Sequence, residues 1–165
     1  MTAWCRQFRS EDATACSGII CANIEADRSL PPGLLRSLCA RMMPDRIEER
    51  ASLYYIAVCE DTLGVVGVGG LDLNEIRLLA VTPEHQRRGF GRLLLEHLES
   101  MVPPVLFGEI FVYSAPVAEG FYLACGYVSG GEHIMEVDGY PIPTTFMTKS
   151  LGRSGLLDRA SAVVL

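Results

Sequence analysis

The chain has 165 residues, a formal net charge of −6 and a hydrophobic fraction of 49%. That length suits one compact domain with a real core, and the acidic balance argues against general nucleic-acid affinity while favouring a cationic partner such as an amine. No stretch reaches the ~20 apolar residues of a membrane span, and no apolar segment backs the arginines between Met1 and Glu11, so no signal peptide is expected.

Ala3 to Arg9 reads as a first strand. Ser10 is a candidate N-cap, with Glu11 and Asp12 in the first turn of a helix running to about Ala26. Pro31-Pro32-Gly33 breaks the chain before Leu34, Leu35, Leu38 and Met42, which recur at helical spacing. Pro44 should end or kink that helix, with a short one following from Asp45. Leu53 to Glu60 is a predicted strand, Asp61-Thr62-Leu63-Gly64 a turn, and Val65 to Leu71 a second strand of a hairpin. Gly67, Gly69 and Gly70 lie inside that strand with no helix after them, so they mark a bulge or a close backbone approach, not a phosphate loop.

After a turn at Asp72-Leu73-Asn74 comes the apolar run Ile76-Arg77-Leu78-Leu79-Ala80-Val81, then Thr82-Pro83, then Gln86-Arg87-Arg88-Gly89-Phe90-Gly91. The following helix should span about Gly89 to Met101, with Phe90, Leu94, Leu98 and Met101 on one stripe. Pro103-Pro104 stops it, and Val105 to Tyr113 returns as a parallel strand by a right-handed connection. Pro116 to Cys125 is a short helix ended by Gly126. Glu132 to Val137 and Ile142 to Lys149 form a last hairpin about Asp138-Gly139. The fold class is α/β.

Strand, basic glycine-rich turn and helix together make an anion site: free N–H groups and the positive helix end face whatever the turn approaches. Arg87, Arg88 and Arg92 add charge that can reach a phosphate. A Rossmann fingerprint needs a third glycine where Leu94 stands, and a P-loop needs Gly-Lys-Ser/Thr, so neither applies. The segment resembles motif A of the GNAT superfamily of acetyl-CoA-dependent N-acetyltransferases, Gln/Arg-x-x-Gly-x-Gly/Ala after a strand ending in Val-x-Pro. Phe121-Tyr122-Leu123-Ala124-Cys125-Gly126-Tyr127 resembles that family's later aromatic motif. The resemblance covers residues 3–151 and implies a GNAT fold, a mixed central sheet with splayed parallel strands flanked by helices. The tail, 152–165, lies outside it and reads either as disordered or as docking through Leu156, Leu157, Val163, Val164 and Leu165 on this or another subunit, a homodimer included.

The resemblance also implies roles. The N–H groups from Gln86 through Gly91, Phe90 included, would bind the pyrophosphate with Arg87, Arg88 and Arg92. The pantetheine arm would pair like an extra strand with Leu79, Ala80 and Val81. Tyr122 would assist the departing thiolate, or else is a packing aromatic beside Phe121. With a reference pKa of ~10 against ~8.5 for a thiol, hydrogen bonding is the more defensible role. The family's strand glutamate is Ile110 here, with Glu109 facing the other way. Glu75 aligns with the general base of the histone acetyltransferase branch, and period two places it with Arg77, Leu79 and Val81. A salt bridge to Arg77, or solvent as base, stays open. Ala115 stands where many members have an asparagine on the cofactor arm, and Ser114 is its candidate substitute.

The implied activity is acetyl transfer from acetyl-CoA to a primary amine by direct attack. The acceptor is left open between a small molecule and a protein lysine or N-terminus, and a coenzyme A-binding regulatory module is the alternative class. By resemblance the acceptor pocket lies between 26–34 and 136–142, where Asp27, Glu136 and Asp138 either hold a cation or are merely solvated. Six cysteines without a Cys-x-x-Cys pair and three histidines without ligand spacing imply buried thiols, a cytoplasmic setting and no metal.

Overall fold

The structure is a computed structural model and describes residues 2–157; the expectations for Val163, Val164 and Leu165 fall outside them. In chain order the elements are β1 (Trp4–Gln7), α1 (Ala13–Ala26), α2 (Pro32–Ala40), α3 (Pro44–Ala51), β2 (Tyr55–Asp61), β3 (Gly64–Asp72), β4 (Glu75–Val81), α4 (Phe90–Met101), β5 (Glu109–Ser114), α5 (Glu119–Ala124), β6 (Val128–Val137) and β7 (Tyr140–Ser150). They form one seven-stranded sheet in the order β1-β2-β3-β4-β5-β7-β6. All neighbouring pairs are antiparallel except β4 with β5.

Pro32 and Pro44 sit in the first turns of α2 and α3, where a missing N–H costs nothing. Ser10 does not cap α1. A single 3-10 turn, Ser10–Asp12, precedes that helix, and Asp12 Oδ2 accepts the Arg9 N–H at 2.8 Å. Arg6 holds both Asp12 oxygens at 2.8 Å and Glu60 at 2.5 Å. Its guanidinium keeps the buried Asp12 carboxyl below the usual range and anchors the start of α1 over β1 and β2.

The core has two halves, one on each sheet face. Under α4 and α5 lie Ala57, Cys59, Leu94, Leu95, Leu98, Ile110, Val112 and Met147. Under α1 and α3 lie Cys16, Ile19, Ile20, Ile47, Ile56, Val58, Val68 and Ala80. Gly67 and Gly69 of β3 serve the first half: a Cβ at Gly69 would come within 2.9 Å of Leu98 Cδ1, so α4 packs against bare backbone.

A register shift opposite Gly70/Leu71 bulges β4. Gly70 faces Leu78 and Leu71 faces Ile76, leaving Arg77 as the extra residue. This corrects the simple period-two reading. Ile76, not Glu75, shares the α4 face with Leu79 and Val81, while Leu78 and Ala80 join the other half.

The strand expected from Val105 begins only at Glu109. Residues 102–107 instead form a turn stapled from the tail. Leu156 and Leu157 N–H groups donate to the carbonyls of Val105 and Leu106 at 2.9 and 3.1 Å, and Arg153 donates to those of Phe107 and Val102 at 3.1 and 2.7 Å. The β6–β7 turn has positive φ at Asp138 (51°) and Gly139 (79°), the type I′ geometry that suits strand twist. Arg41, just after α2, donates to Asp138 Oδ1 at 2.7 Å and ties that turn to the helical layer.

Candidate active site

β4 and β5 pair at only two places, Glu75↔Phe111 and Ile76↔Val112. Beyond them the strands part and a wedge opens. On the other side of β4 the Thr82 N–H donates to Val66 O at 2.9 Å. Bonding alternates along an antiparallel pair, so Ala80 also bonds toward β3 and Leu79 and Val81 turn their N–H and C=O groups into the wedge. Of the three residues expected to pair with an extended ligand, Ala80 thus has its backbone committed to β3.

The turn that follows holds two left-handed residues, Arg87 (φ 59°) and Gly89 (φ 90°). A side-chain-bearing residue at positive φ is uncommon, and such strain clusters where backbone must aim at a ligand. Gly89 occupies the N-cap position of α4, its carbonyl accepting the Leu93 N–H at 3.0 Å. It is needed for its φ, since a Cβ there would meet open space. Gly91 is needed for closeness: its Cβ would lie 3.3 Å from the Phe121 ring on α5. His85 braces the turn, its Nδ1 2.8 Å from Thr82 Oγ1 and its Nε2 3.2 Å from Asp61 Oδ2 at the end of β2.

The three arginines divide their work. Arg87 lines the cleft below the turn. Arg88 lies with its guanidinium 5.7 Å from the Phe90 ring centre. Arg92 lines the cleft too and donates to Ala124 O at 3.1 Å, fixing the end of α5 against α4. Phe90 is buried in the α4 core, so its side chain packs and only its backbone N–H belongs to the anion turn.

α5 ends in a Schellman motif, with Tyr127 N–H donating to Tyr122 O and Gly126 N–H to Leu123 O, both at 3.1 Å. Gly126 carries the required φ of 90°. The motif fixes Tyr122, which lines the cleft floor with its ring edge-on to Phe121 and Tyr127 at 5.2 and 5.3 Å. Burial, with a smaller push from Cys125, holds its phenol above the ordinary range. Tyr122 therefore stays protonated and can donate.

Glu75 stands elsewhere. Its carboxylate takes Arg77 Nη1 at 3.1 Å on both oxygens and is not part of the cleft lining. Ser114 is buried and its hydroxyl donates to Ala115 O at 2.9 Å, so it is spoken for locally.

Sequence reasoning missed Asn23. From α1 it donates to Val81 O at 2.9 Å and accepts from Gln86 Nε2 at 2.8 Å, while Gln86 also reaches Val81 O at 3.2 Å. Both acceptor directions of the Val81 carbonyl are thereby filled, leaving Leu79 with the wedge-facing carbonyl that these side chains do not cover. Asn23 stands one turn beyond Ile19 on the same helix face, and a polar residue there was the available signal. Among the described residues no group of three or more His, Cys, Asp or Glu is placed to hold a metal, and no helix is long and apolar enough to cross a membrane.

Together these parts enclose a cleft of about 670 Å³, within the range of small-molecule sites. Its lining takes in Arg87, Arg92 and the start of α4, Leu79, Val81 and Tyr122, and Ala26 and Asp27 at the end of α1.

Residues 34–151 match the model of a family described as acetyltransferase (GNAT) domain. No curated protein matches the sequence. A solved GCN5-related N-acetyltransferase from Rhodopseudomonas palustris is similar at 24% identity and TM-score 0.83, covering 92% of this chain and 97% of its own. YjaB from Escherichia coli is 22% identical at TM-score 0.73, with 90% and 97% covered. A phosphinothricin acetyltransferase from Sinorhizobium meliloti, solved with acetyl-CoA, is 20% identical at TM-score 0.71, with 93% and 91% covered. At these identities the structural likenesses bear on the fold.

Proposed function

Since the chain belongs to the GNAT acetyltransferase family, matched over residues 34–151, it is an N-acetyltransferase that uses acetyl-CoA, and we propose that it passes the acetyl group directly to a primary amine inside the α4–α5 cleft. The N–H groups of Gln86 through Gly91, with Arg87, would receive the pyrophosphate. Leu79 and the Val81 N–H would pair with the pantetheine arm, because the splay leaves them without a strand partner. Bound acetyl-CoA supplies the activated thioester. Tyr122 donates a hydrogen bond where thiolate charge develops, in a site dry enough for it to count. Arg92 places that tyrosine by holding α5.

The proton from the amine would leave through water. Glu75 enters this reading only at the end of such a relay, because Arg77 holds it outside the cleft. One observation carries the proposal: the strand opening, the anion turn and a buried tyrosine share one cleft.

Calorimetry with acetyl-CoA, alongside thiol release with ethanolamine, 1,4-diaminobutane, tyramine and a lysine peptide, tests it. Binding with thiol release on at least one amine is expected. Binding without release on any would turn the reading to a coenzyme A-binding module, and no binding would overturn it.

A further inference from the structure

We infer that His85 is a positioning residue that holds the anion turn in the shape that takes a pyrophosphate, so that the enzyme prefers full coenzyme A thioesters to pantetheine thioesters lacking the nucleotide. The inference rests on the proposed use of that turn and names the residue that sets its geometry.

The strain in the turn carries the argument. Arg87 bears a side chain at a φ of 59°, and Gly89 follows at 90°. A conformation of that kind persists only where its surroundings over-determine it. On one flank the Gln86 side chain donates to Asn23 Oδ1 and Val81 O. On the other flank the backbone bonds are local: His85 N–H reaches Thr82 O at 2.9 Å and Gln86 N–H reaches Pro83 O at 3.3 Å. Both would travel with the turn if it moved, so they cannot fix it to the sheet.

The His85 imidazole makes that connection on three sides. A carboxylate only accepts, so Nε2 is the donor to Asp61 Oδ2, 3.2 Å away. Nδ1 pairs with Thr82 Oγ1 at 2.8 Å, and the ring meets Phe90 edge-on at 5.5 Å. Thr82 precedes the turn and Phe90 opens α4 after it, so one ring fixes both ends of the strained stretch. The anchor is itself rigid. Asp61 is buried, its Oδ1 accepts the Leu63 N–H at 2.8 Å, and Thr82 N–H is bonded to Val66 of β3. His85 is not part of the cleft lining, so it acts through the turn and not on the ligand. A turn held in its binding shape before the ligand arrives binds more tightly. S-acetylpantetheine carries the thioester and the arm but no pyrophosphate, so its binding draws nothing from this brace.

His85→Phe keeps a ring against Phe90 and removes both nitrogens. It leaves the Asp61 carboxylate unmatched, so Thr82→Val, which removes only the hydroxyl facing Nδ1, is measured beside it. By calorimetry the Kd for acetyl-CoA should rise about tenfold in His85→Phe and about threefold in Thr82→Val, the worth of the hydrogen bonds removed. The Kd for S-acetylpantetheine should stay at the parent value in both, a selectivity that general loosening of the fold would not produce. If His85→Phe does not fold, the same comparison on Thr82→Val decides. Folded variants that keep the parent's preference for acetyl-CoA, or that lose affinity for both ligands in proportion, overturn the inference and leave the proposed function standing. A parent that binds S-acetylpantetheine as tightly as acetyl-CoA overturns the pyrophosphate role of the turn, and the inference with it.

Discussion

At its first residues β4 is closed: Glu75 and Ile76 pair with β5, and Arg77 bulges out to hold Glu75. At its last residues the same strand is open, with Leu79 and Val81 turned into a wedge between two parallel strands and an anion turn immediately after. The closed end carries the charges of Glu75 and Arg77, the open end only apolar side chains. What separates their roles is whether a neighbouring strand satisfies the backbone. Where β5 does so, side chains settle into ion pairs; where it departs, the backbone itself becomes the binding surface.

The largest test of this contrast is Gly91→Glu. A side chain there meets Phe121 and places a negative charge at the phosphate site, so acetyl-CoA binding should be abolished while circular dichroism remains that of the parent. Near-parent calorimetric affinity in the folded variant would show that the open end does not bind through this turn.

Tyr122→Phe should come next. It keeps the packed ring and removes only the donor, so kcat should fall by the equivalent of ~2–4 kcal/mol with acetyl-CoA affinity kept. Parent-like turnover, with chemistry shown to limit the rate, would make Tyr122 a core aromatic. Gly69→Val probes the backbone opposite Leu79, where α4 and not a ligand approaches. It should cost about 1–3 kcal/mol of stability, read as a lower melting temperature, with binding by the folded protein preserved. Lost affinity without lost stability would erase the distinction between packing and binding glycines.

The smallest effect is expected at the closed end. A base in direct contact with the amine is worth ~10²–10⁴ in rate. Glu75→Gln should lose less than about tenfold, since the carboxylate lies outside the cleft. A deficit in the larger range that shrinks at high pH would bring Glu75 back as the immediate base.

Much of this was legible in the sequence because it was written in local chemistry. Pro83, Gly89 and Gly91 fixed the turn, Leu94 and Leu98 the face of α4, and Gly126 the end of α5. The β4 bulge was not legible: one extra residue leaves the apolar pattern intact yet moves Ile76 into the place that alternation assigned to Glu75. Val105, Leu106 and Phe107 read as strand because they are apolar, but their carbonyls are satisfied by the tail instead of a neighbouring strand. Asn23 was hidden for another reason. Its use depends on where α1 crosses the sheet, a property of tertiary packing that periodicity does not record.

The bond between Arg41 and Asp138 joins positions 97 residues apart, and both side chains are about half exposed, at 49% and 48%. An exposed pair of this kind contributes at most about 1 kcal/mol and is weakened by salt. Together with the Tyr140 ring, which lies close against Gly33 of α2, it fastens the β6–β7 turn to the helical layer. Local opening should therefore begin there, as a low-energy fluctuation that releases the hairpin tip while both halves of the core stay folded. Amide hydrogens near Asp138 would exchange early and those of β2 and β3 last, giving the enzyme a flexible rim on a rigid frame.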